Sequence, residues 1–156
     1  MIHVFDTSSF IVLKNFYVGT FATLWARIDG LVSAGTLVSV REVLNELQNY
    51  NETDFIQDWA KRNRSIFRVP SNPELLLVQR ILAVPHFQAL IGNKAILQGT
   101  PVADPFVVAA AMHAGATGVT EEALKPNAAK IPNVCQHFNV PCVNLEGFMA
   151  QQGWTF

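Results

Sequence analysis

Short apolar runs alternate with longer helical patterns along this chain, and that alternation limits the folds open to it. Ile2-His3-Val4-Phe5 runs into Asp6 and reads as a buried strand. Residues 8–16 carry a helical pattern. So do residues 21–34, with Leu24, Ile28, Leu31 and Val32 on one face. Gly35 ends that helix, and Leu37 and Val38 supply a second strand. Further strands are expected to end at Val119-Thr120 and to cover residues 142–145, with a terminal helix over 146–152. Strands separated by helices favour a parallel sheet. The expected fold class is therefore α/β, with a parallel central sheet, helices on both faces, and extra helices in the middle of the chain.

Those middle helices are expected over residues 53–63 and from Ser71-Asn72-Pro73-Glu74 onward, where Pro takes a tolerated early position. Residues 75–91 are mostly apolar and are interrupted at Pro85. Gly99-Thr100-Pro101 reads as a loop, and Ile131-Pro132-Asn133 starts a short helix or turn. Ser39-Val40-Arg41-Glu42 reads as a capping box, which accounts for Glu42. Glu46 lies one turn further along that helix and has no capping duty. Asp104-Pro105 opens a helix over residues 106–113 that is apolar nearly all round.

The length, 156 residues, suits one domain spanning 1–156. A hydrophobic share of 50% against 15% charged residues excludes a disordered chain. The same figures leave room for an apolar partner surface. The helices over 21–34 and 55–59 frame one candidate groove for an amphipathic partner helix; a homodimer is a separate expectation with no assigned surface. Core packing explains those apolar groups equally well.

A net charge of −1 excludes a broadly basic nucleic-acid surface. Phosphate binding must then be local, through a metal ion or a small basic patch. Lys61, Arg62 and Arg64, with Arg68 nearby, form the basic cluster that would track an RNA backbone, although such a run also serves as a solvated helix end. Trp25, Trp59 and Trp154 are read as packing residues, and the four histidines as structural. Cys135, Cys142 and His137 fall one ligand short of a zinc set. The two cysteines read as free buried thiols of a reducing cytoplasm. The N-terminus lacks a basic leader region and no apolar stretch is long enough for a bilayer, so a cytoplasmic location is expected.

In an open parallel sheet, ligands bind at the carboxyl ends of the strands. Asp6 and Glu122 follow strands directly; Glu46 and Asp104 lie at or near helix starts that face the same edge. Crowded carboxylates repel one another and lose hydration. A divalent cation offsets both, and an all-oxygen donor set suits Mg²⁺ or Mn²⁺. Such a site polarises a phosphodiester and activates a water, so no Ser, Cys or His nucleophile is needed. Each acid also has a plain structural reading: Asp104 as an N-cap, Glu121 and Glu122 as acids favouring a helix start, Asp6 as the cap of the next helix.

Taken in order, four segments resemble the PIN-domain family. They are Val4-Phe5-Asp6-Thr7-Ser8, Val43-Leu44-Asn45-Glu46-Leu47, Ala103-Asp104-Pro105-Phe106-Val107-Val108-Ala109-Ala110-Ala111, and Val119-Thr120-Glu121-Glu122. The resemblance is weaker between residues 50 and 99, as in a PIN-like branch with no assigned function. It implies a divalent-metal-dependent endoribonuclease that cleaves RNA, in many relatives a VapC-like toxin held by a protein antitoxin. By this match Asp6, Glu46, Asp104 and Glu122 are the catalytic metal ligands, and Ser8 and Thr120 are hydroxyls that orient them. The last acid is Glu where the family usually has Asp, so Glu121 stands as a substitute ligand and the number of metals, one or two, stays open.

Rival readings are a non-catalytic or RNA-processing module outside a toxin–antitoxin system, and an aspartyl phosphotransferase. The second lacks its partner acid, because Ser8 occupies the position two residues after Asp6. No Gly-rich turn follows the first strand, which removes dinucleotide binding as a leading idea.

Overall fold

The computed structural model describes residues 1–50, 54–92 and 102–156. The loop expected at residues 99–101, and the start of the helix expected at 53, lie outside them. In chain order the elements begin with β1 (His3–Phe5), α1 (Thr7–Leu13), α2 (Ala22–Ser33), β2 (Leu37–Val40), α3 (Arg41–Gln48) and α4 (Phe55–Arg62). A 3-10 turn (Arg64–Ile66) leads into β3 (Phe67–Arg68), and α5 (Asn72–Leu82) is followed by a second 3-10 segment (Pro85–Leu90). The described chain ends with α6 (Asp104–Ala114), β4 (Thr117–Val119), α7 (Ile131–His137), β5 (Cys142–Val143) and α8 (Leu145–Gln151).

The strands form one sheet in the order β3-β2-β1-β4-β5, and every pairing is parallel. β1 sits at the centre, with His3 opposite both Leu37 and Thr117. Successive side chains of a strand point to opposite faces, and β1 uses both. His3 and Phe5 meet the Phe148 ring of α8, each with centroids 4.9 Å apart. Val4 points the other way, beside Ala110 and His113 of α6. Helices therefore cover both faces, as the alternation implied. Phe10 of α1 is fully buried and packs against Phe5, Trp59 and Phe67, tying β1, β3 and α4 into one core.

Strand direction places the acidic residues. All strands leave the sheet along one edge, and a crossover helix returns with its N-terminus at that edge. Thus Asp6 (after β1), α3 (after β2), Thr120 (after β4) and the N-terminus of α6 share one side. α6 is held there by burial of Val107, Val108, Ala109 and Ala111. It ends at Gly115, whose φ of 61° is the left-handed conformation that suits glycine. No atom outside its neighbours lies within 4 Å of a Cβ built there. Gly115→Ala should therefore cost about 1 kcal/mol through backbone strain alone, measured as a fall in the urea midpoint with an unchanged slope.

Several expectations need correction. Ser39 does not cap α3. It belongs to β2, and its hydroxyl donates to the Phe5 carbonyl across the sheet at 2.6 Å. Val40 takes the N-cap position without a side-chain bond. Glu42 is instead buried and paired with Arg41 at 2.8 Å. A true capping box closes one helix later, between Asp54 and Gln57. β3 was not anticipated, because two residues carry no readable alternation. Between α2 and α4, Trp25 packs on Phe55 and Trp59 at 5.4 and 5.8 Å, the core packing that the sequence equally allowed. Among the described residues no helix is long and apolar enough to cross a membrane.

Candidate functional site

Asp6 is 3% exposed and sits where β1 turns into α1. It is the N-cap of α1, accepting from the Ser9 amide at 3.0 Å. Ser8 Oγ donates to the same carboxylate, 2.8 and 2.9 Å from its two oxygens, and Thr120 Oγ1 donates to Oδ2 at 2.7 Å. Ser9 Oγ lies 3.0 Å from Asp6 Oδ1 and 2.9 Å from the Val119 carbonyl, so its one proton serves either. Burial raises the Asp6 carboxyl above its usual range, and the bonds from Thr120, Ser9 and Ser8 act against that rise. The hydroxyls also brace the neighbouring loop: Ser8 Oγ accepts from the Glu121 amide at 3.0 Å, and Thr120 Oγ1 from the Glu122 amide at 3.1 Å.

Glu46 reaches across from α3. Thr7 Oγ1 donates to its Oε2, and the Ala103 amide donates to its Oε1 at 3.0 Å. One side chain thus joins α3, the start of α1 and the start of α6. Thr7 was not singled out from the sequence, although a hydroxyl directly after Asp6 was visible there. Asp104 opens α6 but does not cap it. Ala103 is the N-cap, and no side-chain bond closes that end. The capping role that offered a plain explanation of Asp104 is therefore absent.

Charge is what unites the four acids. Asp104 is pushed up to about 7, first by burial and then by the negative charges of Glu122, Glu46 and Asp6. Lys130 pulls the other way; it is the cation that sequence reading missed, standing just before Ile131-Pro132. The adjacent pair Glu121 and Glu122 diverges. Glu122 Oε2 accepts from the Ile131 amide at 2.8 Å, at the start of α7. Glu121 Oε1 accepts from the Leu145 amide at 2.6 Å, at the start of α8. Glu122 acts on Asp104, and Glu121 is not among the charges that shift it. Glu122→Gln should lower the Asp104 pKa while Glu121→Gln leaves it in place, read by carbon NMR titration of the Asp104 carboxyl.

The donor set is all carboxylate and carries a charge excess that Lys130 alone does not offset, which suits a hard divalent cation. The oxygens are not gathered around one point: among the described residues no group of three or more His, Cys, Asp or Glu stands in ligating positions. The reason is local. Glu46 and Glu122 are turned onto the Ala103 and Ile131 amides, and rotation of these two side chains is needed to bring their oxygens toward Asp6 and Asp104. The residues fit such an ion in chemistry and charge, with that rearrangement.

Lys61 and Arg62 close α4, and Arg64 opens the 3-10 turn before β3; none of the three is among the charges that shift Asp104. Beside Glu121 there is instead an apolar depression of about 440 Å³, lined by Val12, Phe16, Leu145, Met149 and Trp154.

Fold and site together define an α/β protein whose parallel sheet gathers four carboxylates at its exit edge. The chain belongs to the family described as Domain of unknown function (DUF4411), which matches residues 3–156. Among the solved structures it is similar to is the one described as "Crystal structure of PAE2754 from Pyrobaculum aerophilum", with 16% identity, 97% of this chain and 96% of that chain covered, and a TM-score of 0.48. That likeness carries no functional argument. No curated protein matches the chain.

Proposed function

We propose that this protein is a PIN-like, divalent-metal-dependent endoribonuclease in which Asp6, Glu46, Asp104 and Glu122 hold Mg²⁺ or Mn²⁺. The observation that carries the reading is the Asp104 carboxyl at about 7, raised by burial and by the three other acids. A cluster of this kind destabilises itself, and a bound cation removes the penalty. Bound there, the ion supplies a polarised phosphodiester and a water of lowered pKa. The chain's own groups orient the carboxylates: Ser8 and Thr120 hold Asp6, and Thr7 holds Glu46. Glu122 is the fourth ligand in this reading and Glu121 an anchor for α8.

The toxin role within a toxin–antitoxin pair rests on the sequence resemblance. An antitoxin needs an apolar surface, and the depression between α1 and α8 supplies one beside the acids. The reading is tested by RNA cleavage with Mn²⁺ and with a chelator. Metal-dependent cleavage supports it; equal cleavage in both conditions contradicts it.

A second reading is favoured by a specific observation. Asp6, Glu121 and Glu122 each accept a backbone amide at or near a helix start, as capping acids do. A non-catalytic module would use them that way. It gives no reason for Asp104, which caps nothing, and it predicts no response to Mn²⁺.

A further inference from the structure

We propose that Cys135 and Cys142 form a redox-active dithiol, a modification site at which a hydroperoxide closes a reversible disulfide between α7 and β5. Both cysteines are free. Their sulfurs converge on Gly118 of β4, lying 3.8 and 4.0 Å from the point that a Cβ there would occupy. The backbone fixes this convergence. Cys142 is the parallel neighbour of Gly118 in the sheet. The Gly118 amide donates to the Pro141 carbonyl at 2.9 Å, and the Val140 amide donates to the Cys135 carbonyl at 2.8 Å. Between them Asn139 makes the turn at a φ of 56°. The end of α7 is thereby folded back over the first residue of β5.

The two thiols are not equivalent. Cys135 is 1% exposed and Cys142 is half-buried, so an oxidant meets Cys142 first. A hydrogen bond from Cys135 lowers the Cys142 thiol below its usual range and raises Cys135, while burial and the charges of Asp6 and Glu122 oppose the lowering. The thiolate is the reactive form. Cys142 thiolate attacks the terminal peroxide oxygen, the O–O bond breaks, and a sulfenic acid forms with release of hydroxide from hydrogen peroxide or of an alkoxide from an organic hydroperoxide, which takes a proton. The Cys135 thiol then attacks the Cys142 sulfur, its proton leaves with the hydroxyl as water, and the S–S bond closes. The two thiols give up two electrons, which reduce one hydroperoxide to water and its alcohol, or to two waters for hydrogen peroxide.

The test uses the full, reduced, metal-free protein with one equivalent of hydrogen peroxide, followed by alkylation in denaturant and intact-mass measurement. Both thiols should vanish from alkylation together, with loss of two hydrogens, and dithiothreitol should restore both. Cys135→Ala should stop at a Cys142 sulfenic acid that takes dimedone, and Cys142→Ala should leave Cys135 unoxidised. A wild-type protein that keeps both thiols, or that gains oxygen at Cys142 without the cross-link, overturns the proposal. The wild-type result decides even where a variant fails to fold.

Discussion

Asp104→Asn should abolish metal-dependent RNA cleavage, by on the order of a thousandfold, while making the metal-free protein more stable at pH 8. The loss follows from removing one of four ligands and the charge that binds the cation. The gain follows from the same charge. Ionised Asp104 is disfavoured by burial and by Glu122, Glu46 and Asp6, so a neutral amide of equal size relieves that strain. The relief is on the order of 3 kcal/mol after allowance for solvent screening, or roughly 6–12 °C in melting temperature. The two readouts move in opposite directions, which separates lost chemistry from lost fold. A variant that melts lower than wild type, or cleaves as well, contradicts the assignment.

Without metal, stability should fall as pH rises from about 4 to about 7. Asp104 titrates near 7 in the folded chain, against 3.8 without these surroundings. A group whose folded pKa is raised contributes fully below the lower value and loses that contribution as pH passes the upper one. Asp6, also raised, acts in the same direction. The Asp104 share of the loss is on the order of 3 kcal/mol after allowance for solvent screening. Saturating Mn²⁺ should flatten the decline, because the cation favours the ionised carboxylates that bare folding disfavours. Urea unfolding at half-unit pH steps, with and without Mn²⁺, measures both curves. Parallel curves would mean that the cation does not meet these groups.

Much of this arrangement was legible before any coordinates, for stated reasons. Ile2-His3-Val4-Phe5 before Asp6 has few other readings than a central strand, and Gly35 and Ser71-Asn72-Pro73-Glu74 mark helix ends by chemistry that acts locally. The misreadings arose where tertiary structure decides. Ser39 and Glu42 have capping-box spacing, but Ser39 is still within β2 when its hydroxyl is drawn to the Phe5 carbonyl. Glu121 and Glu122 are neighbours in sequence. Only the later course of the chain turns one toward α8 and the other toward α7. Lys130 is a lone cation in sequence and acquires meaning only through its effect on Asp104.

The central claim is that these four acids form a divalent-metal site, and Mn²⁺ binding measured by calorimetry on wild type and Asp6→Asn tests it most directly. Asn keeps the N-cap of α1, so the substitution removes charge with little cost to the fold. The account predicts saturable binding by the wild type at pH 8, with proton release as pH falls toward 7, and loss of that binding in Asp6→Asn. Absence of binding by the wild type, or equal binding by both proteins, would contradict it.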